Sequence, residues 1–161
     1  MPKPSAIAIG AHPDDIEFYM AGTLLQLQAA GWTTHYFNLS SGNLGSVKMP
    51  PEKTARTRAK EARRAARVLG ATFHSSICRD LEILYTVPML RKVAAAIRKS
   101  KASIVLTHSP VDYMEDHTNT CRLAVAAAFT HGMPNFRTTP VTRPYGDDVT
   151  VYHAMPHSLR G

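Results

Sequence analysis

The chain is poor in cysteine and contains no long apolar run. Only two cysteines, Cys78 and Cys121, occur among its 161 residues, and they form neither a C-x-x-C pair nor a disulfide framework. This usage is typical of proteins from a reducing compartment. No apolar stretch approaches the roughly 20 residues of a membrane-spanning helix, and the apolar run near the N-terminus is too short for a secretory signal. We therefore expect a cytoplasmic protein with no membrane partner.

Acidic residues are outnumbered by basic ones. Lys and Arg total 19 against 12 Asp and Glu, which gives a formal net charge of +7, and much of the excess lies in residues 53–67. This segment has no interleaved aromatic residues and matches no motif for binding DNA or RNA. Its apolar positions share one face of a helix: Ala55, Ala59, Ala62, Ala66 and Leu69. The basic side chains then form the solvated face, and we expect no nucleic-acid partner.

A dinucleotide-binding fingerprint is also absent. The glycine-bearing stretch "SGNLGS" (41–46) does not follow the first strand-like run, where a G-x-G-x-x-G motif would have to open a helix. That place is held by "GAHPDD" (10–15). The sequence therefore gives no support to a nicotinamide cofactor.

Strand-like runs alternate with amphipathic segments of helical length. The predicted strands are 5–10, 33–40, 72–77, 103–108 and 148–154; the predicted helices are 16–31, 53–70, 88–99 and 117–131. Parallel strands need crossover connections, and helices supply them. We therefore predict an α/β fold with a mainly parallel sheet and helices on both faces. No internal repeat divides the chain, so residues 1–161 are expected to form one domain.

Two charged loops should meet at one edge of this sheet. The stretch "AHPDDIEF" (11–18) follows the first strand, and "SPVDYMED" (109–116) follows the fourth. If the first loop did no more than begin a helix, this would explain Pro13 and some of the acidic residues, but it would give no reason for His12. His12 and Asp15 can converge across the turn, and His117 begins a helix beyond the second loop. Two imidazoles and a carboxylate are the usual ligands of a catalytic zinc ion, and the same set can hold ferrous iron.

Asp14 lies next to a predicted ligand and is free to point at a water on the metal. A zinc ion lowers the pKa of its water from 15.7 to about 7, and a nearby carboxylate then takes the proton. We therefore predict that Asp14 is the general base.

The segments "AHPDDIE" and "THSPVDYMEDHTNT" resemble those of the LmbE-like, or PIG-L, family of zinc-dependent N-acetylglucosaminyl deacetylases. The resemblance extends over "AGTLLQLQAAGW", "SGNLGS" and "RAKEARRAARVLG", and so over nearly the whole chain. It implies a Rossmann-like three-layer domain, one zinc ion and hydrolysis of an N-acyl amide. By motif match, His12, Asp15 and His117 are the zinc ligands and Asp14 is the base. Arg58, in the pattern Arg58-x-x-Glu61, is expected to face the substrate.

The chain departs from the family pattern at Met114. Many members carry H-x-D-H here, and the first histidine serves the oxyanion or the departing amine. Methionine can do neither. We expect Asp14 to return the proton that it takes, with His108 and Glu115 as the alternative acids.

Three further residues belong to the second loop. Asp116 is expected to hold an imidazole from its outer side, since metal-bound histidines usually donate their other N–H to a carboxylate. Asp112 and Tyr113 are explained equally well as pocket residues and as ordinary loop residues.

The family usually continues past the strand in "VTVYHAMPHSLRG" (149–161), so we expect this domain to be short at its C-terminus, either as a minimal or truncated version of the family domain or with a pocket that needs a second chain. Another subunit can complete such a pocket, and a homo-oligomer is left open. His153 and His157 are further candidates to reach the active edge.

The expected function is removal of an N-acetyl or related N-acyl group from an amino sugar or its conjugate, a small-molecule substrate, with zinc as cofactor. The alternative is a non-catalytic protein that binds metal or sugar on the same fold, because of Met114 and the short C-terminus.

Overall fold

A computed structural model describes residues 3–156, so the prediction for His157 lies outside the described residues. The strands are β1 (Ser5–Gly10), β2 (Thr33–Asn38), β3 (Thr72–His74), β4 (Ile104–Thr107) and β5 (Thr150–His153). The helices are α1 (Asp15–Tyr19), α2 (Ala21–Ala29), α3 (Pro51–Val68), α4 (Val87–Ser100) and α5 (Glu115–Phe129).

The strands form one sheet in the order β3-β2-β1-β4-β5, and every neighbouring pair is parallel. β1 is the central strand, and all six of its residues are buried. The alternating sequence pattern therefore predicted the fold class correctly, because parallel neighbours require the helical crossovers that lie between them.

Successive residues of the strands point to opposite faces of the sheet, and each face has its own apolar cluster. On one face, Ile7 and Ile9 pack with residues of α4 and α5. On the other, Ala8 and Tyr36 pack with residues of α1, α2 and α3. The buried positions of α3 include Ala62 and Ala66, which lie on the predicted apolar stripe. The basic residues of this helix are therefore exposed on its outer side, except Arg58, whose side chain is only 17% exposed.

Two elements differ from the sequence-based expectation. The helix predicted from 16 to 31 is interrupted at Met20, whose φ of −130° lies outside the helical region and whose side chain is 2% exposed in the apolar cluster. The weak strand predicted for 72–77 ends at His74, because only Thr72, Phe73 and His74 pair with β2. No helix within residues 3–156 is both long enough and apolar enough to cross a bilayer.

Gly10, at the end of β1, packs too closely against its neighbours to accept a side chain. A Cβ placed there would lie 2.6 Å from Asn38 Oδ1 and 3.2 Å from the Cβ of Asp15. Asn38 in turn donates a hydrogen bond of 2.9 Å to the buried Tyr36 hydroxyl. Only a residue that lacks a Cβ can therefore begin the loop after β1 without displacing a neighbouring atom.

We predict that Gly10→Ala lowers the free energy of unfolding by about 1–3 kcal/mol, because the new methyl group overlaps a fixed amide oxygen. Gly22→Ala is the matched control: Gly22 lies in α2 and a Cβ there would have no heavy atom within 4 Å. Since alanine favours the helix, this control should raise stability by up to about 1 kcal/mol. Urea denaturation measures both, and two changes of the same sign would contradict the prediction.

Candidate metal centre

Two parallel strands end side by side at the middle of the sheet. From β1 the chain builds outward through β2 and β3 on one side and through β4 and β5 on the other, so the strand order reverses between β1 and β4. Ligands bind at such switch points, beyond the carboxyl ends of the strands. Here β1 leads to His12 and Asp15, and β4 leads to His108 and, in the first turn of α5, to His117.

The carboxylate of Asp15 lies at the centre of these groups and is only 6% exposed. Its Oδ2 accepts hydrogen bonds from the backbone N–H of Ala11 (3.0 Å) and of His12 (2.7 Å). Its Oδ1 lies 3.3 Å from His117 Nε2, and its Oδ2 lies 3.5 Å from His12 Nδ1 and 3.2 Å from His108 Nε2. Every side of this carboxylate therefore faces a nitrogen.

The surroundings of Asp15 keep it ionised. Burial by itself would raise the pKa of this carboxyl, because water is removed from a charge. The hydrogen bonds from His108, His117 and His12 outweigh burial and hold the pKa of Asp15 far below its usual range. Asp15 is thus a permanent negative charge in a nearly dry position.

Two further carboxylates fix the outer nitrogens of the histidines. His12 Nε2 lies 2.9 Å from Asp116 Oδ2, and His117 Nδ1 lies 3.0 Å from Asp112 Oδ2. A carboxylate only accepts hydrogen bonds, so each of these ring nitrogens carries the proton. The other nitrogen of each ring, Nδ1 of His12 and Nε2 of His117, faces Asp15. Histidine ligands of metal ions are commonly held in this way.

These residues fit a divalent metal ion. One ligand atom each from His12, Asp15 and His117 lies within 4.8 Å of the others. Two imidazole lone pairs and a carboxylate that face one another repel unless positive charge lies between them, and a proton or a metal ion supplies it. Burial lowers the pKa of His12, but the carboxylates of Asp15 and Asp116 raise it overall to about 9. The cluster therefore favours a cation.

His108 lies beneath this cluster. It is 2% exposed, and its ring stacks on that of His117 with centroids 3.9 Å apart. Its Nε2 lies 3.2 Å from Asp15 Oδ2 and 3.0 Å from the backbone nitrogen of Ala11, and burial lowers its pKa. With His117 and Asp112, His108 forms a second group of ligand type that shares a histidine with the first.

Asp14 is placed beside the cluster by a left-handed backbone. Its φ is 111°, in a region that residues other than glycine seldom adopt, and its side chain is 51% exposed. Strain of this kind concentrates at functional sites. The Arg58 guanidinium donates to Asp14 Oδ2 at 2.6 Å and also to the carbonyl of Pro13. Burial raises the pKa of Asp14, although the charge of Arg58 opposes the rise.

The stretch "SGNLGS" packs against Arg58. A Cβ at Gly42 would lie 2.7 Å from Arg58 Cδ, and a Cβ at Gly45 would collide with Arg58 Nη1. Gly42 also has a positive φ of 69°. Because neither glycine has a side chain, the Arg58 guanidinium has the space that it needs to reach Asp14.

A cavity of about 390 Å³ opens over the cluster, and His12, Asp14, Asp15, Arg58 and His117 line it. Met114 lines it as well, so no imidazole occupies that place. Of the three candidate acids, His108 is buried below the cluster, Glu115 is exposed at the start of α5, and Asp14 lies in the cavity wall. His153 lies in β5, and its Nδ1 bonds the backbone carbonyl oxygen of His108 at 2.9 Å.

The partners of the histidines could not be read from spacing alone. Asp116 contacts an imidazole, but it is that of His12 and not that of its neighbour His117. Asp112, whose role the sequence left open, is the residue that bonds His117. The sequence signal for this contact is that Asp112 lies five residues before His117, a separation that a loop can bridge so that the two side chains meet.

The sequence and the fold are both similar to those of known proteins. The family model described as "PIG-L: GlcNAc-PI de-N-acetylase" matches residues 7–128. A solved structure of N,N′-diacetylchitobiose deacetylase from Pyrococcus horikoshii superposes with a TM-score of 0.86 and 25% identity, over 95% of this chain and 61% of that one.

Hydratase activity also occurs among similar proteins. A 4-oxalmesaconate hydratase from Pseudomonas putida KT2440 is 28% identical over 134 residues, which are 78% of this chain and 52% of the relative. The structure of 4-carboxy-2-hydroxymuconate hydratase from P. putida KT2440 has a TM-score of 0.84 and 25% identity, over 96% of this chain and 67% of that one. The chain thus spans between about half and two thirds of the lengths of these proteins.

We predict that Asp116→Asn lowers the affinity for zinc by roughly 10- to 100-fold, because the outer nitrogen of His12 loses its charged acceptor. Glu115→Gln is the matched control, since Glu115 is the preceding residue of α5 and is exposed. Competition with a chromophoric chelator measures the affinity, and circular dichroism checks that both variants fold. Equal affinities in the two variants would contradict the assignment.

Proposed function

The chain belongs to the PIG-L (GlcNAc-PI de-N-acetylase) family, and from that premise we propose that it is a metal-dependent deacetylase that removes an N-acetyl or related N-acyl group from an amino sugar or its conjugate. The observation that carries the proposal is the convergence of His12, Asp15 and His117 at the floor of one cavity with Asp14 in its wall.

The proposed metal is zinc, held by His12, Asp15 and His117, and the same ligand set also suits ferrous iron. When bound, such an ion polarises an amide carbonyl and lowers the pKa of water towards 7. Asp112 and Asp116 keep the two imidazoles turned inward through their outer nitrogens. Asp15 stays ionised throughout, so its role in this proposal is to bind and not to exchange protons.

Asp14 moves the proton in this proposal. It takes a proton from the attacking water and delivers it to the departing amine, which removes the need for a histidine at Met114. A base and acid of this kind works best when its pKa lies near the working pH, and burial moves the pKa of Asp14 upward. Arg58 holds the carboxylate at 2.6 Å while leaving about half of it exposed to the cavity.

The amino-sugar part of the substrate fits a second cavity, of about 330 Å³, on the other side of Arg58. Its wall contains three carboxylates, from Asp14, Glu17 and Glu61, and three hydroxyl groups, from Ser46, Thr54 and Thr57. Such groups exchange hydrogen bonds with sugar hydroxyls. This arrangement supports a hydroxylated substrate that lies across Arg58.

Hydration of an unsaturated tricarboxylate is the second candidate. A hydratase is similar to this chain both in sequence and in structure, and the Arg58 guanidinium has the fork geometry that binds carboxylates. Incubation of the same protein with 4-carboxy-2-hydroxymuconate, followed by loss of the conjugated absorbance, tests it directly.

We predict that the zinc-loaded protein releases acetate from N-acetylglucosamine or N,N′-diacetylchitobiose, and that Asp14→Asn slows release by about 10²- to 10⁴-fold while zinc remains bound. Removal of zinc by a chelator should abolish release, and added zinc should restore it. The exposed Asp147→Asn is the control and should leave the rate unchanged.

Acetate release that persists in Asp14→Asn with metal bound would refute the mechanism. Hydration activity without acetate release would favour the second candidate, and metal and sugar binding without either reaction would favour a binding protein.

A further inference from the structure

The cavity over the metal cluster has an apolar rim. We use this name for Phe18, Leu44, Leu81 and Met114, which come from four separate segments of the chain and line the same cavity. Three of them are largely exposed: Phe18 by 78%, Leu81 by 73% and Leu44 by 54%. Single exposed apolar side chains are ordinary, but a group of them around a candidate site indicates something that covers them.

The position of Leu81 is tied to the cluster. Its backbone N–H donates to Asp116 Oδ2 at 2.8 Å, and the same oxygen bonds His12. Leu81 also adopts a positive φ of 63°, a left-handed conformation that is uncommon for leucine. The contact that orients the histidine therefore also sets an apolar side chain at the edge of the cavity.

The two sides of the cluster differ in chemistry. Across Arg58 lies the polar cavity, whose lining is mostly polar or charged although it includes Met49 and Ala62. The apolar rim, in contrast, surrounds the cavity that contains the histidines. A scissile amide at the cluster has a hydroxylated amine part and an acyl part. Because the polar cavity matches the amine part, the apolar rim is left for the acyl part.

We propose that the apolar rim binds an N-acyl group larger than acetyl, so that the preferred substrate is an amino sugar with a longer aliphatic acyl chain. This proposal rests on the deacylase function proposed above. An acetyl group offers one methyl, too small to contact residues from four segments, whereas each further methylene that is buried tightens binding by about fourfold.

Calorimetry on the zinc-loaded Asp14→Asn protein tests the proposal without turnover. The probes are N-acetylglucosamine and N-hexanoylglucosamine. We expect the hexanoyl compound to bind at least about tenfold more tightly, as burial of two methylenes would give. Phe18→Ser, in the same background, should remove most of this preference. Phe129→Ser should retain it, because Phe129 is exposed to a similar degree, 73%, near the opposite end of α5.

A second variant tests whether the preference depends on the apolar rim as a whole and not on residue 18 alone. Leu81→Asn removes the apolar side chain while asparagine tolerates the positive φ, so the backbone contact with Asp116 is kept. It should also reduce the preference for hexanoyl over acetyl. In the active protein, the ratio of kcat/KM for the two substrates should fall in the same variants, mainly through KM.

Equal affinity for the two probes, or failure of both to bind, would overturn the proposal. A preference that instead follows an octyl group on the anomeric oxygen of N-acetylglucosamine would assign the rim to the amine side and overturn it too. So would a change in sedimentation of Phe18→Ser with no change in preference, because the rim would then be a contact between subunits. Preference for the hexanoyl compound without hydrolysis would support acyl binding by the apolar rim and contradict the proposed deacylase function. Acetate release without such a preference would support the deacylase function and contradict acyl binding by the rim.

Discussion

The organisation of the site depends on one buried carboxylate. Asp15 is almost removed from water, and a charge in that position is stable only if nearby groups replace the lost hydration. Two backbone N–H groups at the end of β1 and three imidazoles do so. Two of these imidazoles, His108 and His117, follow β4 and not β1. The cluster therefore requires β1 and β4 to be neighbours, which is the topology that the sheet adopts.

Side chains of the neighbouring strand β2 also hold the loop after β1 in place. Gly10 allows Asn38 to approach, and Asn38 donates to the Tyr36 hydroxyl, which itself donates to Glu17 Oε2 at 2.7 Å. Tyr36 is fully buried, and burial raises the pKa of its hydroxyl above its usual value, so it remains protonated and able to donate. α1, on which Asp15 and Glu17 both lie, is thus fixed at two points by side chains.

Local spacing predicted the parts of this structure that short-range geometry determines. His12 and Asp15 lie three residues apart across a strand-to-helix turn, and the strand pattern placed His117 at the same edge. The sequence predicted that Asp116 bonds an imidazole, but it did not identify that ring as His12, and it left the role of Asp112 open, because the path of residues 109–114 decides which carboxylate reaches which ring. The contact of the two loop glycines with Arg58 joins segments that are distant in sequence, and no periodicity indicates it. The break at Met20 has no helix-breaking residue to signal it.

Asp14 and Asp15 are adjacent carboxylates, and their surroundings shift their pKa values in opposite directions. Asp15 accepts two backbone hydrogen bonds and faces three imidazole nitrogens, and its pKa is held far below the usual range, whereas the pKa of its neighbour Asp14 is raised by burial. When the surroundings of paired acids move their pKa values apart, the pair divides into a fixed charge and a group that exchanges protons. Asp14 alone of the two is half exposed to the cavity. Since Met114 cannot carry a proton, the proposed mechanism assigns proton transfer in both directions to Asp14, the more accessible and less acidic of the two carboxylates.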